Sequence, residues 1–249
     1  MKSLDIRGFL EMSLIDWDGK VSSVIFLSGC NFRCAFCHNA QLLVDPQHLV
    51  QFSFSGVLDY MKEHRDFIDG LVITGGEPTL YSELPEAIKR IKAEGFLVKL
   101  DTNGTNPKML KELLDENLLD YVAMDLKAPP LPEEYLKTVG IYRDVDLEGA
   151  PPETLTDKIK ESLALLKNCN NAGFDYEIRT TVVPTLLDEA SIFAMSQSLI
   201  GMKKWVIQQF VPRNVLNKDF ETVEPYSEDK LREFIAIGNR FVPTKGRGF

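Results

Sequence analysis

Residues 21 to 39 read VSSVIFLSGCNFRCAFCHN, and this stretch sets the frame for the rest of the chain. Its first half, Val21 to Ser28, is apolar and β-branched and too short to stand as a helix, so it predicts a buried strand. The second half carries Cys30, Cys34 and Cys37 in a loop at the strand's carboxyl end. Working outward, the same rhythm returns. Strands are expected at Gly70 to Thr74, Phe96 to Asp101, Tyr121 to Asp125, Phe174 to Val183 and Trp205 to Phe210. Helices are expected at Phe54 to Phe67, Glu83 to Glu94, Lys108 to Glu116, Thr154 to Lys167, Glu189 to Ile200 and Glu228 to Phe241, where Leu, Ile and Ala recur at three- and four-residue spacing. Alternating strands and helices predict an α/β fold with a parallel sheet. About six such units predict a partial, TIM-like (β/α)6 barrel, three quarters of the eight-unit form.

Local punctuation agrees with the periodicity. Ser82 precedes the second helix, Gly95 stands where that helix must stop, and Pro107 suits a first helical position. A chain of 249 residues is compatible with one α/β barrel domain. The expected domain spans residues 1–249, with a core over about 20–212 and a C-terminal helix over about 228–241. Ala128 to Glu153, rich in proline and acid, interrupts the rhythm, and two readings stay open for it, a lid over the site or a surface loop.

Composition narrows the partners. With 28 Lys and Arg against 37 Asp and Glu, the net charge is −9, which disfavours attraction to nucleic-acid phosphates. Apolar runs such as Val24 to Leu27 fall far short of the roughly 20 residues that span a bilayer, so no membrane partner is expected. Three of the four cysteines fall within eight positions, a poor disulfide framework and a good soft-metal site in a reducing compartment. The cytoplasm is the expected location.

The spacing Cys-x3-Cys-x2-Cys places three thiolates on one short loop, and thiolates are the ligands that iron-sulfur clusters prefer. Three cysteines around a four-iron cube leave one iron open to a ligand from outside the protein. The competing reading is a zinc site with His38 as fourth ligand, or three reduced core thiols. Cys169, alone at a helix end, reads as a small buried hydrophobe.

The loop Gly29-Cys30-Asn31-Phe32-Arg33-Cys34-Ala35-Phe36-Cys37-His38-Asn39 resembles the signature of radical S-adenosylmethionine enzymes. The similarity runs over nearly the whole chain, toward the glycyl-radical-enzyme activating proteins and among them toward those of anaerobic ribonucleoside-triphosphate reductase. The resemblance implies a [4Fe-4S] cluster on Cys30, Cys34 and Cys37 that reduces bound S-adenosylmethionine. It places Phe36 against the adenine and His38 at the border of the cofactor.

Further motifs sit at the ends of successive strands. Thr74-Gly75-Gly76-Glu77-Pro78 closes the second; a double glycine lets main chain approach a ligand that a Cβ would repel, and the resemblance gives Gly75, Gly76 and Glu77 the cofactor's amino group. Asp101-Thr102-Asn103-Gly104 closes the third and Met124-Asp125-Leu126-Lys127 the fourth, on the edge where such folds keep their sites. By resemblance, Asp101 and Asp125 hold a monovalent cation, and Asn103 and Lys127 belong to the cofactor site; read alone, they fit a turn and a surface ion pair. Arg179, single among apolar residues of the fifth strand, is expected to pair with a carboxylate or the ribose, or to lie exposed at the strand's outer end. Gln208 to Asn214 is expected near the adenosine. Ser13 to Gly19 resembles the family's entry loop, except that Asp18 stands where proline is usual.

The resemblance implies reductive cleavage of S-adenosylmethionine and hydrogen abstraction from a glycine of a large partner, anaerobic ribonucleotide reductase, with a low-potential electron donor. The alternatives are activation of another glycyl-radical enzyme such as pyruvate formate-lyase, a small-molecule radical enzyme, and, from another class, a non-catalytic iron-sulfur electron carrier.

Overall fold

The computed structural model describes residues 4–140 and 152–249. Among them, eight strands form one sheet in simple sequential order: β1 (Ile6–Ser13), β2 (Ser22–Leu27), β3 (Gly70–Gly75), β4 (Leu97–Thr102), β5 (Tyr121–Asp125), β6 (Asp175–Val182), β7 (Trp205–Gln209) and β8 (Thr244–Arg247). Strands β2 to β8 run parallel, and β1 joins β2 as an antiparallel hairpin. The six strands expected from sequence are β2 to β7, so the α/β partial-barrel reading holds. Sequence periodicity missed β1 and β8. The first is half exposed along its length and the second is four residues long with three of them Lys, Gly and Arg, so neither has an apolar run.

Helices α1 (Ala40–Val44), α2 (Phe54–Glu63), α3 (Leu84–Ala93), α4 (Pro107–Asp115), α5 (Pro132–Val139), α6 (Pro152–Asn168), α7 (Glu189–Ser198) and α8 (Glu228–Gly238) cover the outside of the sheet. Their ends follow elementary rules. Asn106 accepts from Met109 N ahead of Pro107, Ser53 and Ser227 cap α2 and α8 in the same way, and Gly95 takes φ +88° just beyond α3. Ser82, by contrast, does not cap α3; its hydroxyl turns to Glu83. The apolar faces of strands and helices make one large core, in which Ile25, Leu71, Ile73, Leu100, Val122 and Ile178 are fully buried. Cys169, beyond α6, packs at its margin, as a small hydrophobe would.

Ala128 to Glu153 is not a continuous loop. Pro132–Val139 forms α5, with Pro at its start and Gly140 at φ +73° at its end. Residues 141–151 of that stretch lie outside the described residues. The buried face of Tyr135, Thr138 and Val139, at three- and four-residue spacing, is masked in sequence by the flanking prolines and glutamates.

The inner face of the sheet is different, because side chains alternate along each strand. Lys99 and Asp101 on β4, Tyr121 and Asp125 on β5, and Glu177 and Arg179 on β6 meet one another there. At the floor, the β1–β2 turn tucks inward: Trp17 packs on Val24 and Val72, and Lys99 Nζ donates to the Asp16 carbonyl. Arg247 of β8 reaches Glu177 Oε1 at 3.0 Å and Asp18 at 3.8 Å, so both ends of the sheet contribute to this floor. The interior is therefore filled with paired charge below and opens to a cavity above, at the carboxyl ends of the strands.

Candidate active site

Cys30, Cys34 and Cys37 lie on the loop after β2 and line one cavity together with Phe36, His38, Gly75 and Gly76 on one side and Asp101, Asn103, Asp125, Lys127 and Arg179 on the other. Five parallel strand ends, β2 to β6, thus supply every sequence-predicted site residue except Glu77, whose side chain points elsewhere. All three cysteines are free thiols. Burial pushes the thiols of Cys30 and Cys34 up to about 12 and raises that of Cys37, so an apolar wall alone would keep them protonated. A positively charged metal centre reverses that balance, which is why such a thiol triad suits a metal cluster.

The zinc alternative with His38 as fourth ligand does not match the geometry. His38 Nε2 lies 2.8 Å from the Val211 carbonyl, and its ring stacks beside Phe210. Among the described residues no three His, Cys, Asp or Glu side chains converge on a single ion. His38 instead ties the cysteine loop to the segment after β7. That segment adds two backbone bonds, Leu216 N to Cys37 O and Asn217 N to Ala35 O, so Gln208 to Asn214 does lead to the cysteine loop.

The double glycine welds two strand ends. A Cβ on Gly76 would stand 1.7 Å from the Gly29 carbonyl oxygen, and one on Gly75 would stand 2.4 Å from Leu27 backbone, with φ at +120°. Gly76 N donates to Leu27 O and Glu77 N to Gly29 O. What a Cβ at either glycine would meet is therefore main chain of β2 and of the cysteine loop, whereas the sequence suggested a ligand there. Gly75's carbonyl accepts from Asn39 Nδ2 at 2.7 Å, which anchors the far end of the same loop.

Glu77 is fully buried, and its carboxylate is saturated. Oε1 accepts from Thr79 N, Thr79 Oγ1 at 2.6 Å and Thr102 Oγ1 at 2.7 Å, and Oε2 accepts from Asn103 N at 2.6 Å. Burial raises its carboxyl above the ordinary value against these donors. These bonds make the carboxylate a brace that holds the turns after β3 and β4 together. Asn103, whose amide that brace positions, donates to Asn31 Oδ1 at 2.9 Å, and both asparagines bond Thr105. This buried Asn31–Asn103–Thr105 set lies beside the Cys30 sulfur. Sequence reasoning missed Asn31 and Thr105; the polar run at residues 101–106 was the available signal.

Phe36 is buried against Lys127, whose ammonium lies 5.9 Å from the ring centroid. Lys127 is itself fixed by Asp125 Oδ2 at 2.9 Å, and its backbone N–H donates to the Tyr135 hydroxyl. Asp125 holds Lys127 charged against the cost of burial. Arg179 is neither exposed nor free. Its Nε donates to Asp125 Oδ1 at 2.8 Å and its Nη1 to Asp101 Oδ2 at 2.9 Å, so the carboxylates expected around a monovalent cation are bridged by a guanidinium. Burial works against the Asp125 carboxylate, but Arg179 and Lys127 outweigh it and hold its pKa down to about 2. Helix α5 supports this wall from behind: Arg33 N donates to Val139 O, and Tyr135 packs on Phe32.

The structure thus sets a thiol triad on the first βα loop of a parallel partial barrel, facing charged strand ends. Residues 24–192 match the family model of the Radical SAM superfamily. The chain belongs to the radical SAM superfamily. As a member of that superfamily it is an oxidoreductase-type enzyme whose cofactors are a [4Fe-4S] cluster and S-adenosylmethionine. Among relatives, a Methanocaldococcus jannaschii protein assigned as a glycyl-radical enzyme activating enzyme is 34% identical over 97% of this chain and 94% of its own length. The pyruvate formate-lyase-activating enzyme of Clostridium pasteurianum is 28% identical over 74% of this chain and 70% of its own. This radical SAM chain is thus a homologue of glycyl-radical enzyme activating enzymes. Its fold is also that of Streptococcus suis SuiB bound to S-adenosylmethionine, with a TM-score of 0.62, 14% identity and 88% of this chain covered. The chain spans about half the length of that structure, at 48%. Among the described residues no helix is long and apolar enough to cross a membrane.

Proposed function

We propose that this radical SAM enzyme activates a glycyl-radical enzyme, and that its target is an anaerobic ribonucleoside-triphosphate reductase. The observation that carries the activase reading is the end-to-end similarity to the M. jannaschii relative, which leaves no other domain of that relative unaccounted for. Support for the reductase comes from the joint resemblance of Ser13 to Lys20, Lys99 to Gly104, Tyr121 to Lys127 and Arg179 to Pro184 to its activating proteins.

The residues fit the cofactors. Cys30, Cys34 and Cys37 would hold the cluster, and among the described residues no fourth thiol lines the cavity. When bound, the cluster would supply the electron for reductive cleavage of S-adenosylmethionine. The protein's share is to bind, orient and shield. Phe36 offers an aromatic face toward the adenine, and Lys127, already charged, offers a donor to a carboxylate. Asn31, Asn103 and Thr105 fix the backbone around Cys30, and α5 backs the loop that carries the thiols. Among the described residues β1 and β8 are not paired with each other, so the barrel has a lateral opening through which a partner's glycine-bearing loop can enter. A glycine suits such an entry, because it has no side chain to obstruct the approach.

The electron comes from a low-potential donor, and the setting is a reducing cytoplasm. The test is anaerobic reconstitution with iron and sulfide, addition of dithionite and S-adenosylmethionine, and incubation with the reductase and, in parallel, with pyruvate formate-lyase. Deoxyadenosine with a glycyl electron-paramagnetic-resonance doublet on the reductase alone is the expected result. A doublet only on the lyase would overturn the target, and deoxyadenosine without any doublet would overturn the activase reading.

A further inference from the structure

Asp101, Asp125, Lys127 and Arg179 line the cavity's inner wall, with Lys99 beneath them. Arg179 of β6 stands between Asp101 of β4 and Asp125 of β5, with one nitrogen on each, at 2.9 and 2.8 Å. Asp125's second oxygen is taken by Lys127 Nζ at 2.9 Å. Asp101's second oxygen has no hydrogen-bond donor among the described residues, and the charge opposite it is Lys99 Nζ at 3.6 Å. The pair of aspartates that the family resemblance associates with a monovalent cation is thus ringed by three protein cations. Two lysines and one arginine thus already face the two carboxylates. An alkali ion needs oxygen ligands, and here the carboxylate oxygens that face each other are both occupied by one guanidinium.

We propose that Arg179 is a built-in cation, its guanidinium taking the place of a bound monovalent metal between Asp101 and Asp125. Arginine is suited to this use. It is always charged, and its planar fork fixes two acceptors at once where a spherical ion would need further ligands to define an angle. The bridge clamps the ends of β4 and β5, and with them Asn103 and Lys127, at the spacing the cofactor site requires. Arg179 is in this sense a positioning residue, and the enzyme works without sodium or potassium. The inference rests on the radical SAM cofactor site and is independent of the target protein, so it is tested on cofactor cleavage with no partner present.

The experiment compares dithionite-driven release of deoxyadenosine in potassium, sodium and choline chlorides at equal ionic strength. The wild-type holoenzyme should show the same rate in all three. Arg179→Ala should lose about tenfold or more in choline, through misplacement of the two strand ends, and should regain several-fold on adding potassium or free guanidinium. Arg179→Met, which fills the space without charge, should lose as much and regain nothing. A second readout uses the cluster-free protein: the unfolding temperature of Arg179→Ala should rise in potassium over choline at equal ionic strength, and that of the wild type should not. Wild-type activity that needs potassium or sodium would overturn the proposal, as would an Arg179→Ala enzyme that neither ion restores or stabilises. The wild-type salt comparison decides the question even if Arg179→Ala does not fold. A reductase that never acquires a glycyl radical would sink the target assignment and leave this result untouched.

Discussion

Replacing Glu77 by Gln removes one charge and turns one acceptor into a donor in a fully buried site. The carboxylate now accepts two backbone N–H groups, from Thr79 and Asn103, and two hydroxyls, from Thr79 and Thr102. The hydroxyls can rotate and accept from an amide; the backbone N–H groups cannot. Either orientation of the Gln amide therefore leaves one buried N–H facing another donor, at a cost of about 1–3 kcal/mol. The remaining bonds lose their charge assistance, about 1 kcal/mol each. Part of this loss is offset, because burial raises the Glu77 carboxyl and its ionised form is costly to keep. We expect a net destabilisation of about 3 kcal/mol, equivalent to roughly 6–12 °C in a chain of this length. Anaerobic urea and thermal unfolding of the cluster-free protein measure it, and the affinity of the reconstituted enzyme for S-adenosylmethionine is measured alongside. Stability within about 0.5 kcal/mol of wild type, combined with weakened cofactor binding, would show that Glu77 serves the ligand directly and refute the brace.

Gly76→Ala should be worse tolerated than Gly95→Ala, because the first Cβ would collide with the Gly29 carbonyl while the second meets open space and only a strained φ; iron content after reconstitution should fall for the former alone. Cys34→Ala should abolish cluster assembly, and Cys169→Ser should leave the iron and sulfide content unchanged, as read from metal analysis and visible absorption. Asp125, held down to about 2 by Arg179 and Lys127, contributes stability that is full above the ordinary carboxyl value near 4 and is lost as pH falls toward about 2. Asp125→Asn should accordingly flatten the acid limb of the stability curve over that window, and an unchanged slope in acid titration would contradict the assignment.

Much of the barrel could be read from the chain because β2 to β7 are buried on at least one face by helices, and such strands must be written as apolar runs. The edge strands escaped because an edge needs no such run. The prediction of a loop over Ala128 to Glu153 failed at α5, where prolines and glutamates at the helix start look like a linker and the apolar face is only one turn wide. The thiol triad was fully legible, since its chemistry lies in residue type and spacing. Glu77, Asp101, Asp125 and Arg179 were legible as site residues, but their partners across the sheet were not: Thr102 for Glu77 and Arg179 for both aspartates lie 25 to 78 residues away, a distance that hides them in the sequence.

The floor of the barrel has a kinetic side. Glu177 is buried and depends on Arg247, near the last residues of the sequence given, as well as on Lys204 and Tyr121. Asp16 and Trp17, from the beginning, close the same floor under Lys99. A chain still emerging from the ribosome can form the β2–β3 weld and bring its three cysteines into place long before β8 arrives. Until then Glu177 lacks its arginine, and the interior beneath the site stays open to water. The cysteine loop should thus gain its β3 anchors early and those from α5 and the segment after β7 late, so a cluster delivered during synthesis would meet thiols that are less deeply buried, and more readily ionised, than those of the finished fold.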